Sequence, residues 1–325
     1  MRILLANPRG FCAGVNMAIE CVDRVLELRG PPVYVFHEIV HNRHVVEDFQ
    51  RRGVVFVNDV ELVPEGRLIV YSAHGVSPEV RRVARRRGLI EVDATCPLVT
   101  KVHNEVARFA RDGCTIIFIG HRNHDEAVGT VGEAPDSIIV VESVDEVRAL
   151  DLPSDARVAY VTQTTLSVAD TAAIIAALRQ RWPHIRSAPR EDICYATTNR
   201  QGAVSTFAPE VDLVLVVGSR NSSNSRRLVE TAQQAGRPGQ LIDDETELRP
   251  QWFEAVRCVL VTAGASAPER VVQRVVERLQ REFGGVVEPR TLVEEDMAFE
   301  VPGSLRKLNV IAQGSGREVG LAGIR

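Results

Sequence analysis

Leu68-Ile69-Val70-Tyr71 runs directly into Ser72-Ala73-His74-Gly75-Val76-Ser77-Pro78. A β-branched and aromatic run, then small polar residues, then Ser-Pro ahead of a helical pattern reads as a strand-to-helix turn of an α/β unit. The pattern recurs twice without a gap. Val158-Ala159-Tyr160-Val161 leads into Thr162-Gln163-Thr164-Thr165-Leu166-Ser167-Val168, and Val259-Leu260-Val261 into Thr262-Ala263-Gly264-Ala265-Ser266-Ala267-Pro268. An amphipathic stretch follows each turn, as in Val271 to Leu279.

Two further sets of segments align around this one. Gly120-His121-Arg122-Asn123-His124-Asp125-Glu126 matches Gly218-Ser219-Arg220-Asn221-Ser222-Ser223-Asn224, and His37 to Arg43 keeps the spacing with less of the chemistry. Each follows an apolar run: Val33 to Phe36, Ile116 to Ile119, and Leu213 to Val217. Cys12, Cys96 and Cys194 each end a short extended segment and precede a helical pattern. Cys12 lies 29 residues before His41, Cys96 28 before His124, and Cys194 28 before Ser222.

The repeats predict an α/β protein of three pseudo-equivalent domains with small parallel sheets. The expected bounds are 1–95, 96–193 and 194–285, with a C-terminal segment and tail over 286–325 that includes Gly314-Ser315-Gly316. Ligands of such sheets sit at the carboxyl ends of the strands. Three units around a pseudo-threefold axis would bring three thiols, three histidines and several hydroxyls to one point.

Composition narrows the function. With 325 residues, 45% apolar and 25% charged, the chain reads as an ordinary multidomain globular protein. A net charge of −4 and 5% aromatic residues argue against a nucleic-acid binder. No apolar run approaches a membrane span, and the start is too short for a signal-peptide core. The expected location is cytoplasmic, where cysteines stay reduced, so the six cysteines are core thiols, catalytic groups or metal ligands.

Three thiolates from separate units suit an iron–sulfur cluster with one iron left open. Zinc with three ligands and water is the competing arrangement. Three thiolates would make that zinc electron-rich and a poor Lewis acid, which favours the cluster. Cys21, Cys114 and Cys258 lack repeat equivalents and read as core. Ser222, Ser223, Asn224 and Ser266 near helix starts, with His41, His74 and His124, read as an anion pocket. Glu126 stands where its equivalents are Arg43 and Asn224. A carboxylate beside a metal and a phosphorylated substrate should have a raised pKa and serve as a general acid. Thr164 and His124 are neighbours able to hold or relay its proton. The run Arg81 to Arg87 reads as a solvated helix face, or as an attractor for an acidic electron carrier.

These residues carry a resemblance. Asn7-Pro8-Arg9-Gly10-Phe11-Cys12-Ala13-Gly14-Val15, the turn at Ser72, Asp93-Ala94-Thr95-Cys96-Pro97, Thr162 to Thr165, Asp192 to Gln201, Gly218 to Ser225 and Thr262 to Pro268 resemble the 4-hydroxy-3-methylbut-2-enyl diphosphate reductases over roughly residues 1–305. The resemblance implies a trefoil of α/β domains and an oxygen-sensitive 4Fe–4S cluster on Cys12, Cys96 and Cys194. It implies a diphosphate held by the His, Ser and Asn set, Glu126 as proton source, and Thr164 orienting the substrate hydroxyl. The products would be isopentenyl and dimethylallyl diphosphate, with electrons from a ferredoxin or flavodoxin. The chain departs from the family pattern at Asn16-Met17, where Asp-Arg is expected, and at Asp125 and Ala127, where Pro and Val are expected.

Overall fold

The structure, a computed structural model, describes residues 1–305 and Leu308. The glycine-serine tail segment lies outside the described residues. The chain opens with β1 (Arg2–Asn7) and α1 (Ala13–Arg29), then β2 (Val33–Phe36), α2 (Arg43–Arg51), β3 (Val54–Val57), β4 (Leu68–Tyr71), α3 (Pro78–Arg86) and β5 (Ile90–Asp93). Next come α4 (Pro97–Arg111), β6 (Thr115–Ile119), α5 (Asp125–Val131), β7 (Ile138–Val141), α6 (Val144–Ala149), β8 (Val158–Thr162), α7 (Val168–Arg181) and β9 (Arg186–Ser187). The last group is α8 (Tyr195–Phe207), β10 (Leu213–Val217), α9 (Ser223–Gln234), β11 (Gly239–Ile242), β12 (Cys258–Ala263), α10 (Glu269–Phe283) and β13 (Val286–Thr291).

The strands form three sheets in the orders β3-β2-β4-β5, β7-β6-β8-β9 and β11-β10-β12-β1-β13. Every pairing is parallel. Parallel strands covered by helices on both faces need continuous apolar runs, and β10 and β12 are buried at every position. The edge strand β13 has no buried position and tolerates Pro289, which cannot donate to a ladder. Phe118 packs wholly buried against Val102, Val106 and Phe109 of α4. Truncating it to alanine would cost about 3–5 kcal/mol.

The sheets divide the chain differently from the repeat bounds at both ends. β1 pairs with β12 and β13, so it belongs to the third sheet rather than to the first unit. Its Leu4 and Ala6 pack with Val204, Phe207 and Val216 of that unit. The helix that follows, α1, packs its Val15, Ala18, Val22 and Val25 into the first core. β13, expected in the separate C-terminal segment, is the edge of the third sheet.

A crossing rule follows. The chain leaves one sheet after each of β1, β5 and β9, and α1, α4 and α8 each begin packing on the next core. Cys12, Cys96 and Cys194 are the N-cap residues of those three helices. Each thiol therefore sits where the chain passes from one unit to the next, at the carboxyl edge of the sheets.

Candidate active site

The turns after the central strands all open on one cavity of about 100 Å³. His41, His124 and Ser222 follow β2, β6 and β10; His74, Thr164 and Ser266 follow β4, β8 and β12. These six line the cavity together with Cys12, Cys96, Cys194, Glu126, Ser223 and Asn224. All twelve residues singled out from the sequence thus share one cavity.

The three cysteines are free thiols, and none makes a regular side-chain cap bond to its own helix. Burial pushes the Cys96 thiol up to about 12, with the charges of Cys12 and Cys194 adding to it. Burial likewise raises Cys194 to about 11, against a contact from Sγ to Thr197 Oγ1 at 3.2 Å. Uncoordinated, these two thiols stay protonated near neutral pH, so a thiolate-bound metal would release protons on binding. Gly14 makes the convergence possible, because a Cβ there would stand 2.6 Å from Cys96 Sγ. Cys21, Cys114 and Cys258 lie in the cores.

Glu126 is 1% exposed and faces Thr164 with both carboxylate oxygens. The Thr164 amide donates to Oε1 at 2.6 Å and its hydroxyl to Oε2 at 3.0 Å. Burial raises the Glu126 carboxyl to about 7, outweighing those two bonds, and the charge of Asp192 adds to the rise. His124 caps α5: its Nδ1 accepts the Glu126 amide at 3.1 Å, which leaves the proton of a neutral ring on Nε2. Burial lowers His124 to about 4, and the neighbouring His41 adds to the drop.

The three rings form a cluster. His41 stacks on His74 with centroids 4.0 Å apart, and His124 stands edge-on to both at 5.2 and 5.7 Å. Burial, then the charges of His41 and His124, hold His74 well below its ordinary range. Ser222 caps α9, accepting the Ser225 amide at 3.3 Å. Asn224 Oδ1 accepts the Ala265 amide at 3.0 Å, Ser266 Oγ donates to the His41 carbonyl at 2.8 Å, and Ser223 Oγ donates to the Thr165 carbonyl at 3.2 Å.

Asp125 reaches from the second unit to His37 Nδ1 at 2.9 Å and His41 Nε2 at 3.7 Å. Burial alone would raise its pKa, but the bond from His37 and the charges of His41 and His124 bring it below the usual value. Candidate ligand atoms of Asp125, His41 and His74 lie within 4.8 Å of one another. Yet the two rings are stacked at 20°, and a metal must lie in the plane of each ring it binds. The rings are therefore arranged to donate hydrogen bonds, with Asp125 accepting, rather than as a metal site.

The family model for LytB protein matches residues 3–280. The chain belongs to the LytB protein family. Among its relatives is the 4-hydroxy-3-methylbut-2-enyl diphosphate reductase of Rhodopirellula baltica, 51% identical over 306 residues, covering 94% of this chain and 96% of that one. The reductase of the same name from an Enterobacter species is 53% identical over 309 residues, covering 94% and 98%. The solved structure of E-1-hydroxy-2-methyl-but-2-enyl-4-diphosphate reductase from Plasmodium falciparum superposes with a TM-score of 0.93 at 41% identity, covering 97% of this chain and 99% of that one. A second solved structure, described as the terminal enzyme of the non-mevalonate pathway, gives a TM-score of 0.62 at 31% identity, covering 86% and 100%. The three-sheet α/β trefoil is thus the LytB fold.

Some features of this LytB chain escaped the sequence reading. Thr197, which touches Cys194 and Asn224, lies within the Asp192–Gln201 stretch, but no repeat equivalence marks it. The basic run is largely paired: Arg81 with Asp93, Arg82 with Glu79, and Arg85 with Glu91. That pairing weakens the long-range positive field that attraction of an acidic carrier would need. No helix among the described residues is long and apolar enough to cross a membrane.

Proposed function

We propose that this LytB protein reduces (E)-4-hydroxy-3-methylbut-2-enyl diphosphate to isopentenyl and dimethylallyl diphosphate in the cytoplasm. The balance is two electrons and two protons consumed, the allylic C–O bond broken, and water released. The observation that carries the reading is one cavity lined jointly by three thiols, three histidines and a buried glutamic acid whose pKa is raised to about 7.

The donor set fits an iron–sulfur group. Soft thiolates select iron–sulfur clusters or zinc over hard cations, all three thiols line one cavity, and the missing Cβ at Gly14 spares Cys96 a clash. Cys12, Cys96 and Cys194 would hold a 4Fe–4S cluster, leaving one iron without a protein ligand. When bound, the cluster would supply one-electron equivalents and a Lewis-acidic iron for the alcohol oxygen. A one-electron protein carrier, a ferredoxin or flavodoxin, would refill it.

The chain's own residues do the rest. Neutral His124 directs its Nε2–H away from α5, and with His41, His74, Ser222, Ser223, Asn224 and Ser266 it gives the diphosphate a set of donors. Anchoring that end orients the reacting carbon with binding energy from a part of the substrate that does not react. Glu126, protonated below about pH 7, supplies the proton that turns hydroxide into a water leaving group. Thr164 fixes both oxygens of Glu126 and carries a hydroxyl able to reorient toward the substrate alcohol.

Anaerobic assembly of the cluster on the full chain, with iron and sulfide analysis and product quantification under a small-molecule reductant, tests the reading. Four irons per chain with both isoprenyl products are expected. A colourless zinc protein that hydrolyses the diphosphate instead would overturn it.

A further inference from the structure

Arg200 is wholly buried on α8, the helix that Cys194 caps. A buried guanidinium is costly unless its donors are matched, and here they are spent on three different segments. Nε and Nη2 reach the Gly10 carbonyl at 3.3 and 2.8 Å. Nη1 reaches the Ala196 carbonyl at 3.0 Å and the Glu295 carboxylate at 3.1 and 3.2 Å. Gly10 lies two residues before Cys12, and Ala196 two residues after Cys194. The guanidinium therefore joins the backbone beside one thiol to the backbone beside another.

The Gly10 loop has little freedom to find its place otherwise. Gly10 has φ of +65°, and a Cβ there would meet the Ala267 carbonyl at 3.1 Å. The third partner, Glu295, comes from the segment after β13. That segment is held at its start by the Leu292 amide on the Asn7 carbonyl at 2.8 Å, and at Glu295 by Asn199 at 3.0 Å. Phe299 and Leu305 then pack against the first core. The C-terminal segment thus crosses from the third unit to the first over the joint between the Cys12 loop and α8.

Arg200 does not line the cavity, and its hydrogen bonds go to none of the thiols or proposed substrate donors. We propose that Arg200 and Glu295 are a positioning pair that sets Cys12 against Cys194, so that both thiols meet one metal group. The proposal rests on the reading of the three cysteines as ligands. Loss of Arg200 leaves the Gly10 carbonyl without this donor, and loss of the Glu295 charge leaves the buried guanidinium without its counter-ion; either way the Cys12 loop relaxes while Cys96 and Cys194 stay in place.

The test uses the full chain with Arg200→Lys, Arg200→Met and Glu295→Gln. The control is Arg181→Met, which removes an arginine that bridges carbonyls of the second unit far from the cysteines. Metal-free protein is titrated with Co²⁺, whose thiolate charge-transfer intensity counts bound sulfurs. Iron retention of the assembled protein is followed after exposure to air, alongside the thermal midpoint. The Arg200 and Glu295 variants should show two thiolates in place of three and lose iron about 10- to 100-fold faster than the parent. Arg181→Met should keep three thiolates and parental retention even with a lowered midpoint. If both Arg200 variants fail to fold, Glu295→Gln, which keeps the shape of the site, decides alone. Three thiolates and parental retention in the folded variants would overturn the proposal. A parent chain that binds Co²⁺ through three thiolates but takes up no iron–sulfur cluster would refute the cofactor reading while leaving the thiolate count to judge the pair.

Discussion

Thr164 grips Glu126 with both of its donors, the amide on Oε1 at 2.6 Å and the hydroxyl on Oε2 at 3.0 Å. Such bonds favour the charged carboxylate, yet burial wins and the acid is raised to about 7 from an ordinary 4.5. The fold thus keeps a carboxyl protonated near neutral pH while fixing both of its oxygens, which is the condition for a positioned acid.

The raised pKa has a stability consequence with a definite sign. Between 4.5 and about 7 the folded chain holds a proton that the unfolded chain has released. This contribution to stability is fully present below the lower value and is lost as pH rises through the upper one. At about 1.4 kcal/mol per unit, the loss approaches about 3 kcal/mol. Glu126→Gln should flatten that part of the stability–pH curve measured by denaturant titration. A variant curve parallel to the parent's would show that Glu126 does not titrate there.

The cysteine assignment predicts a clean split. Cys12→Ser, Cys96→Ser and Cys194→Ser should each lose most of the iron and the activity. Cys21→Ala, Cys114→Ala and Cys258→Ala should keep both and lose stability only, since they remove core volume. Iron and sulfide per chain settle the matter, and full retention in Cys96→Ser would be incompatible with a three-thiol site.

Gly14→Ala tests the geometry without touching a ligand. The new Cβ would lie 2.6 Å from Cys96 Sγ. Alanine is a better helix former than glycine by about 1 kcal/mol, so the helix itself gains. The expected result is a folded protein that takes up the cluster poorly, seen as reduced absorbance of the assembled form. Normal uptake would mean that α1 and Cys96 do not approach as closely as the structure has them.

For the anion pocket, His41→Ala, His74→Ala and Ser222→Ala should each weaken substrate binding by about 1–3 kcal/mol, the worth of a charge-assisted donor. Calorimetry on the oxidised protein measures this without turnover. Unchanged affinity in all three would remove the diphosphate from this end of the cavity.

Much of this arrangement was legible in the sequence because a strand-to-helix turn leaves a local signature. The turns at His74, Thr164 and Ser266 align by residue type alone, and the cysteine intervals agree within one residue. β1 was not legible. Its apolar run pairs with β12 across some 250 residues, and a strand pattern carries no information about which sheet it joins. The contact of Asp125 with His37 was hidden for the same reason, since the two lie on different units. So was the role of Arg200: as a single arginine on a helix it has no signature until Gly10 and Glu295 surround it. The pairing of the basic run was likewise hidden, because the carboxylates that meet Arg81 and Arg85, Asp93 and Glu91, come from the following strand.

In the proposed reaction Glu126 delivers the proton that releases water. A single-turnover experiment on cluster-loaded Glu126→Gln, with iron content and substrate affinity measured on the same sample, tests it most directly. Parental iron, parental affinity and product formation slowed about 10²- to 10⁴-fold are expected. Product formation at the parental rate, with iron and binding intact, would contradict that role and place the proton source elsewhere, for instance on the substrate's own diphosphate.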